Sequence, residues 1–473
     1  MPQTAYAEPS SRIQLQLPSA YADSVNPEWV RLLDLLGMNV RYRRCAGAEL
    51  FAEDGRVFLD FLSGYCVHNT GHNHPAIVAA LKDELDSSGP AMLQSHVADT
   101  AGLLAHELLR RSGLASDAES RRWPEAHRLS KAFFCSSGSE GIESVIKFAR
   151  VRTRRNGIVY ARGAFHGLTC GALSLMGSDF WREGFGPMLQ ETYEVPFNNT
   201  AALAQVLKQE SIAAVVLEPV QGEAGIVVPE PEYLAQVQEL CRKHGALFVL
   251  DEVQTGLGRT GRFLAAQHYG VSPDMVVLAK ALSGGLVPVA AVLMTEEIYH
   301  AVYGSLRRAI IHTSTYSENG LAMRAGLATL DVLDREKLIE RSDELGRSLR
   351  QRLTQGLEPY SMVKEVRGLG LMNGIVFQPP QQLRMKLSFQ AFKAIHPAMF
   401  GQMIVRRLFQ DHRILSQICG NNFMVLKVAP PLVIEQQQLD TYVDSITSVV
   451  DALHSSAAFW SDALDLGRRA FRV

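Results

Sequence analysis

The sequence predicts an α/β fold, with a large domain built on a mostly parallel sheet covered by helices and a smaller α+β domain drawn from the N- and C-terminal segments. Two observations predict it. Between about residue 96 and residue 295, short, nearly all-apolar runs alternate with helical patterns, as strands do when both faces of a parallel sheet are buried. Beyond a long helical stretch at 326–353 the alternation loosens into a mixed pattern. A boundary near residue 330 follows. It divides the chain into an N-terminal arm with part of the small domain (1–90), the large domain (91–330) and the C-terminal small domain (331–473). With 473 residues, 47% of them hydrophobic and 20% charged, the chain is long enough to bury such a core.

Residues 1–30 read as a polar arm without the basic-then-apolar layout of a secretory signal. "AELFAEDGRVFLDFLSGYCV" (48–67) holds two strand-like pieces around Asp54-Gly55, a hairpin signal. "KAFFCSSG" is a strand entering a Gly/Ser turn, followed by the helical "SEGIESVIKFARVRTRR". "GIVYA", "AAVVLEP" (213–219), "ALFVLDEV" (246–253) and "DMVVLAK" (274–280) are strands, and "PEYLAQVQELCRKHG" (231–245) is a helix between two of them. A single long helix is expected at 326–353. The net charge of −2 gives no electrostatic case for nucleic acid or an anionic membrane. No apolar run approaches the roughly 20 residues of a transmembrane helix. Six cysteines without CxxC spacing suit a reduced, cytoplasmic setting and indicate no metal site.

In an open α/β sheet, ligands bind outside the carboxyl ends of the strands. Four such ends here carry unusual residues. "CSSGSEG" sets Ser136, Ser137, Gly138 and Ser139 where a strand turns into a helix. Helix N-terminal amides plus hydroxyls can hold a phosphate, although alone the pattern more often marks a plain cap. In "ARGAFHGLT", Phe165 follows a strand and could stack on a planar ring; alone it reads as core. In "LDEVQTGLGRTG", Asp251 ends an apolar strand, where a carboxylate is costly to bury unless it faces a cation, and Gln254 offers an amide at the same edge. "VVLAKALSGG" places Lys280 at the tip of a fourth strand. A lone lysine there ordinarily snorkels to solvent, but a desolvated one is an amine fit to form a Schiff base. Phosphate cradle, stacking aromatic, buried carboxylate and imine-forming lysine are together what pyridoxal 5'-phosphate requires.

The stretches "FLDFLSGYCVHNTGHNHP", "CSSGSEGIESVIKFAR", "FHG", "LEPVQGEAGIVVP", "LDEVQTGLGRTG", "LAKALSGG", "HTSTY" and "VAPPLVI" follow one another over roughly residues 50–450. In this order the chain resembles the class III (ω-) aminotransferases, pyridoxal phosphate enzymes of fold type I, nearest in pattern to ornithine and acetylornithine aminotransferases. The resemblance implies Lys280 as Schiff-base lysine and general base, Asp251 against the pyridine nitrogen, and Gln254 near the 3′-oxygen. It further implies Phe165 on the ring face and Ser137, Gly138 and Ser139 at the phosphate. His166 falls among the cofactor contacts and reads as structural rather than acid–base. Thr315 would reach the phosphate of a neighbouring subunit, which implies a homodimer with shared active sites. On the substrate side the resemblance places Tyr65, Glu223, Lys427 and Leu168. His72 and His74 read as turn-shaping residues.

Departures from the pattern bear on the substrate. Ornithine-type enzymes carry an arginine for a substrate carboxylate where this chain has Leu168. Before "APPL" they carry a second arginine, here Lys427, a point charge without the bidentate fork. "TYGGNP" has become "TYSENG", with Ser317 and Glu318 in place of two glycines. The expectation is a transaminase acting between a terminal amine or aldehyde, apolar or polyamine-like, and a 2-oxo acid such as 2-oxoglutarate or pyruvate. The alternatives are ornithine or acetylornithine aminotransferase proper, or an aminomutase of the glutamate-semialdehyde type on the same scaffold. The apolar segment 379–423 reads as small-domain core, or else as a wall for a bulky substrate.

Overall fold

The computed structural model describes residues 17–93, 95–113, 128–381, 385–386, 389–390, 396–455 and 460. The first half of the expected polar arm therefore lies outside the described residues, as does part of 379–423.

The central sheet has seven strands: β4 (Leu129–Cys135), β5 (Gly157–Ala161), β6 (Thr192–Val195), β7 (Ile212–Leu217), β8 (Leu247–Asp251), β9 (Met275–Leu278) and β10 (Ala290–Thr295). Their order is β4-β10-β9-β8-β7-β5-β6, and only β10 runs against the rest. β7, β9 and β10 are buried at every position, so their apolar runs need no alternation. The pleat still sorts their side chains. Val215 and Leu217 join one apolar cluster, Ala214 and Val216 another on the opposite face. The helix Tyr233–His244 covers the first face with Tyr233, Leu234, Val237 and Cys241. The helix Gly138–Thr153 covers the second with Ile142, Val145, Phe148 and Ala149.

The helix expected at 326–353 is two helices, Gly320–Arg335 and Leu338–Leu357. The break falls at Lys337, which takes a left-handed φ of 51° without any glycine or proline to announce it. Tertiary packing imposes it. The first helix lies on Pro75–Asp86 and Asp99–Arg111, the second on β11 (Val363–Leu369) and on the helix Gln436–Ser455.

Two smaller sheets complete the architecture. β1 (Tyr42–Ala46), β2 (Glu49–Ala52) and β3 (Val57–Asp60) form a meander whose β2–β3 turn is the Asp54-Gly55 hairpin. The late strand β13 (Ile414–Leu415) joins it parallel to β3, so the two ends of the chain share a sheet. The other sheet is antiparallel in the order β11, β12 (Met372–Phe377), β15 (Asn422–Val428) and β14 (Gln417–Cys419). The described part of 379–423 is mainly core. The helix Met399–His412 buries Phe400, Met403, Ile404, Leu408 and Phe409, and Phe409 stacks on Phe58 at 4.6 Å.

Arg259 pins these parts together. Fully buried, it donates to Asn69 Oδ1 (3.2 and 2.6 Å), Ser63 Oγ (3.1 Å) and the carbonyls of Leu371 (3.1 Å) and Pro430 (2.5 Å). Burial lowers its pKa, and five hydrogen bonds compensate the desolvated guanidinium.

Candidate active site

The carboxyl ends of β4, β5, β7, β8 and β9 open on one cavity of 490 Å³, within the range of small-molecule sites. Each strand delivers one group. After β4, Ser137 caps the helix Gly138–Thr153 by accepting from Glu140 N (3.2 Å), while Glu140 Oε2 accepts from Ser136 N (2.8 Å). The cap and the cavity lining are therefore the same residues, and neither reading excludes the other. Gly138 admits no side chain, since a Cβ there would lie 2.9 Å from a methyl of Val253. Ser139 Oγ accepts from Leu168 N (3.3 Å).

Asp251, at the end of β8, is buried. Its Oδ2 lies 2.8 Å from His166 Nδ1, and its Oδ1 accepts from Val253 N (3.1 Å). Burial alone would lower the His166 pKa, but the Asp251 hydrogen bond and charge outweigh it and raise it. His166 Nε2 is buried and, among the described residues, has no hydrogen-bond partner. Lys280 follows β9 and is only partly accessible, opening on the cavity with Phe165 and Gln254. Burial lowers its pKa, with Cys66, Asp251 and Glu223 pulling the other way. Its φ of 46° is left-handed, a strained conformation for a non-glycine residue. The glycines that follow pack closely against the N-terminal segment. A Cβ at Gly284 would meet Ile77 at 2.5 Å, and one at Gly285 would meet His68 at 2.5 Å.

Glu218, at the end of β7, escaped the sequence reading. It is buried on the cavity wall, accepting from Phe165 N and Gly222 N, each at 3.2 Å. Burial pushes its carboxyl up to about 7, with the His166 charge opposing and Asp251 adding. The signal was present: an acidic residue closing an apolar strand, the feature that singled out Asp251.

A second cluster adjoins the cavity through Gln254, whose Nε2 donates to Glu223 Oε1 (3.1 Å). Glu223 also pairs with Lys427 Nζ and accepts from Gly420 N (2.8 Å). Lys427 is fully enclosed, its Nζ 4.9 Å from the ring centroid of Tyr65. Burial would raise the Glu223 carboxyl, but Lys427 and the hydrogen bonds hold it near 2. The same pairing raises the Lys427 pKa against the pull of burial. Tyr65 sits in a turn where Ser63, Gly64, Tyr65 and Cys66 all take positive φ, a feature no sequence signal announced. Leu168 is 52% exposed. Thr315 is exposed and lies apart from the cavity of its own chain. His74 caps the helix Pro75–Asp86, and His72 meets Asp60 at 2.7 Å. Among the described residues no group of three or more potential ligands could hold a metal.

A planar phosphorylated heterocycle fits this arrangement. The cavity offers an aromatic face, a buried carboxylate, an amine of lowered pKa and a helix N-terminus, with the unpartnered Gln254 Oε1 and His166 Nε2 beside them.

These strand ends form a candidate cofactor site on an α/β sheet. Comparison with known proteins supplies the family. Residues 36–450 match the family model described as aminotransferase class-III. The chain is 34% identical over 464 residues to the aminotransferase PigE of Serratia sp., an alignment covering 92% of this chain and 53% of that protein; the chain thus spans about half the length of that relative. It is 36% identical over 407 residues to the acetylornithine aminotransferase of Mycolicibacterium smegmatis, covering 86% and 92%. Its fold superposes on an ornithine aminotransferase from Toxoplasma gondii, described with partial occupancy of pyridoxal phosphate at the active site. The TM-score is 0.77 at 27% identity, covering 93% of this chain and 99% of the other. The chain belongs to the class III aminotransferases, pyridoxal phosphate-dependent enzymes of fold type I.

Proposed function

We propose that the protein is a transaminase moving an amino group between a terminal amine or aldehyde and a 2-oxo acid. The observation that carries this is the pairing on one cavity of Lys280, its pKa lowered, with Asp251, backed by His166 at 2.8 Å. Bound pyridoxal phosphate supplies an electron sink for charge developing at the carbon that bears the nitrogen. The chain's own residues do the rest. Lys280 would hold the cofactor through its amine and would serve as the base that moves a proton at the substrate carbon. Asp251, held in place by His166 at 2.8 Å, would pair with the ring nitrogen and keep a proton on it. Ser137, Gly138 and Ser139 bind the phosphate, Phe165 covers the ring face and Gln254 approaches the ring oxygen. Thr315 completes the phosphate site of a second copy, so the active form is a homodimer, in the cytoplasm. The division at residues 90 and 330 separates the cofactor-binding domain from the segments that close over it.

Substrates share the second cluster. Lys427 takes the carboxylate of the 2-oxo acid, and Glu223 neutralises Lys427 when an uncharged group occupies the same space. Ornithine or acetylornithine, named for two of the relatives, is the second reading. Leu168 speaks against it, because a leucine offers no contact to an α-carboxylate. A donor panel followed by visible absorbance tests the proposal. The band of the lysine-linked cofactor should fall on adding a terminal amine and return on adding 2-oxoglutarate or pyruvate. An isomerisation that never needs the 2-oxo acid would instead identify an aminomutase.

A further inference from the structure

Three aromatic rings run outward from the cofactor cavity. Phe165 lines it, Trp181 meets Phe165 edge-on at 5.4 Å and 89°, and Phe180 meets Trp181 at 5.1 Å and 80°. Phe180 ends the row at the surface, 66% exposed. The middle ring is held in place. Trp181 Nε1 donates to Asn421 Oδ1 (2.7 Å), and Asn421 Nδ2 donates to the carbonyls of Gly163 (2.9 Å) and Ala164 (3.3 Å), just ahead of Phe165. The Asn421 N–H donates to the carbonyl of Glu223 (2.9 Å). A Cβ at Gly420 would come within 3.4 Å of the indole and 3.1 Å of the Glu223 carboxylate. The β14–β15 turn therefore ties the indole to the substrate cluster.

We propose that this row is the track for the carbon chain of the amino donor, with Trp181 as its specificity-determining residue. The donor class is then a linear primary amine with an apolar chain. This rests on the transaminase reading. It commits to an apolar chain over a diamine because the row is aromatic along its length, and Asp179, in the same turn, is engaged by Arg182 (2.6 Å), which also reaches Tyr160 OH (3.2 Å). Leu168, in place of an anion-binding arginine, is consistent with a donor lacking an α-carboxylate.

The test is the dependence of kcat/KM on donor length, measured on the holoenzyme with n-alkylamines from butylamine to octylamine and a fixed 2-oxo acid. The half-reaction is followed in parallel by the visible band without acceptor. Each methylene buried against the row should raise kcat/KM roughly two- to fourfold. Diamines of equal length should fall below their monoamines. Trp181→Ala should flatten the slope to near unity per methylene, Trp181→Phe should retain part of it, and Asn421→Ala should reduce it by freeing the indole. A merely structural loss would lower every donor by one common factor and leave the slope intact, which would overturn the proposal. A flat slope in the wild type, or diamines preferred over monoamines, would overturn it as well. If amines of every length leave the visible band unchanged, the transaminase reading fails and takes this inference with it.

Discussion

Replacing Lys427 by methionine isolates the second cluster. The Lys427 ammonium is fully enclosed and pairs with Glu223, which keeps only the Gly420 and Gln254 donors once the lysine is gone. The Glu223 carboxyl, held near 2 against an ordinary 4.5, corresponds to about 3 kcal/mol of stabilisation at neutral pH. That agrees with the roughly 3–5 kcal/mol expected on removing one partner of a buried pair. Unfolding entropy of about 2.1 cal/mol/K per residue makes ~3 kcal/mol a drop of about 3 °C in the thermal midpoint of a chain this long. Glu223→Gln should destabilise similarly, whereas the double variant Glu223→Gln with Lys427→Met should recover most of the loss, because no buried charge is left alone. The sign with pH follows from the depressed carboxyl. The pair's contribution is complete above about pH 4.5 and is lost as pH falls towards 2, so in acid the wild type should lose stability relative to the double variant, which has no such pair to lose. Midpoints from thermal melts at pH 7 and pH 3 decide it. If the two single losses simply add in the double variant, the pair is not coupled and the argument fails.

Four further outcomes follow from the geometry. Lys280→Ala should lose the visible band of a lysine-linked cofactor and nearly all turnover; activity within about tenfold of wild type, about 1.4 kcal/mol of barrier, would refute its role. Lys427→Ala should raise KM for the 2-oxo acid far more than KM for the amine, and equal rises in steady-state kinetics would count against it. Glu218→Gln should remove an ionisation near pH 7 from the pH profile of the visible spectrum, since its carboxyl is pushed up to about 7; a retained inflection assigns that ionisation elsewhere. Arg259→Lys should destabilise by about 1–3 kcal/mol for each buried acceptor left unsatisfied, because three ammonium donors cannot replace the forked contacts, and an unchanged melting profile would contradict that.

The sheet was legible where its strands are apolar, as in β5, β7 and β9, and Asp251 and Lys280 stood out as the polar residues at strand ends; β6, with Thr192 and Glu194, carries no such run. Glu218 closes β7 in the same way, but its stretch reads in sequence only as a strand, without its terminal carboxylate being singled out. The break at Lys337 was invisible for a different reason. Its left-handed backbone is imposed by what the two helices pack on, and a lysine carries no local sign of that. The left-handed run at 63–66 and the Trp181–Asn421 bond are likewise products of assembly. Residues 181 and 421 lie 240 positions apart, and nothing in either neighbourhood names the other.

Arg259 has a consequence for how the chain can be divided. Its acceptors come from positions 63, 69, 371 and 430, outside the stretch 91–330 that carries the cofactor cavity. A fragment cut at those boundaries would hold every residue proposed to touch the ring, yet would leave a guanidinium facing an empty socket. The catalytic core is therefore not a separable module. Both ends of the polypeptide must be synthesised and brought back before its central arginine is satisfied, and a nascent chain halted after residue 330 is still unfinished.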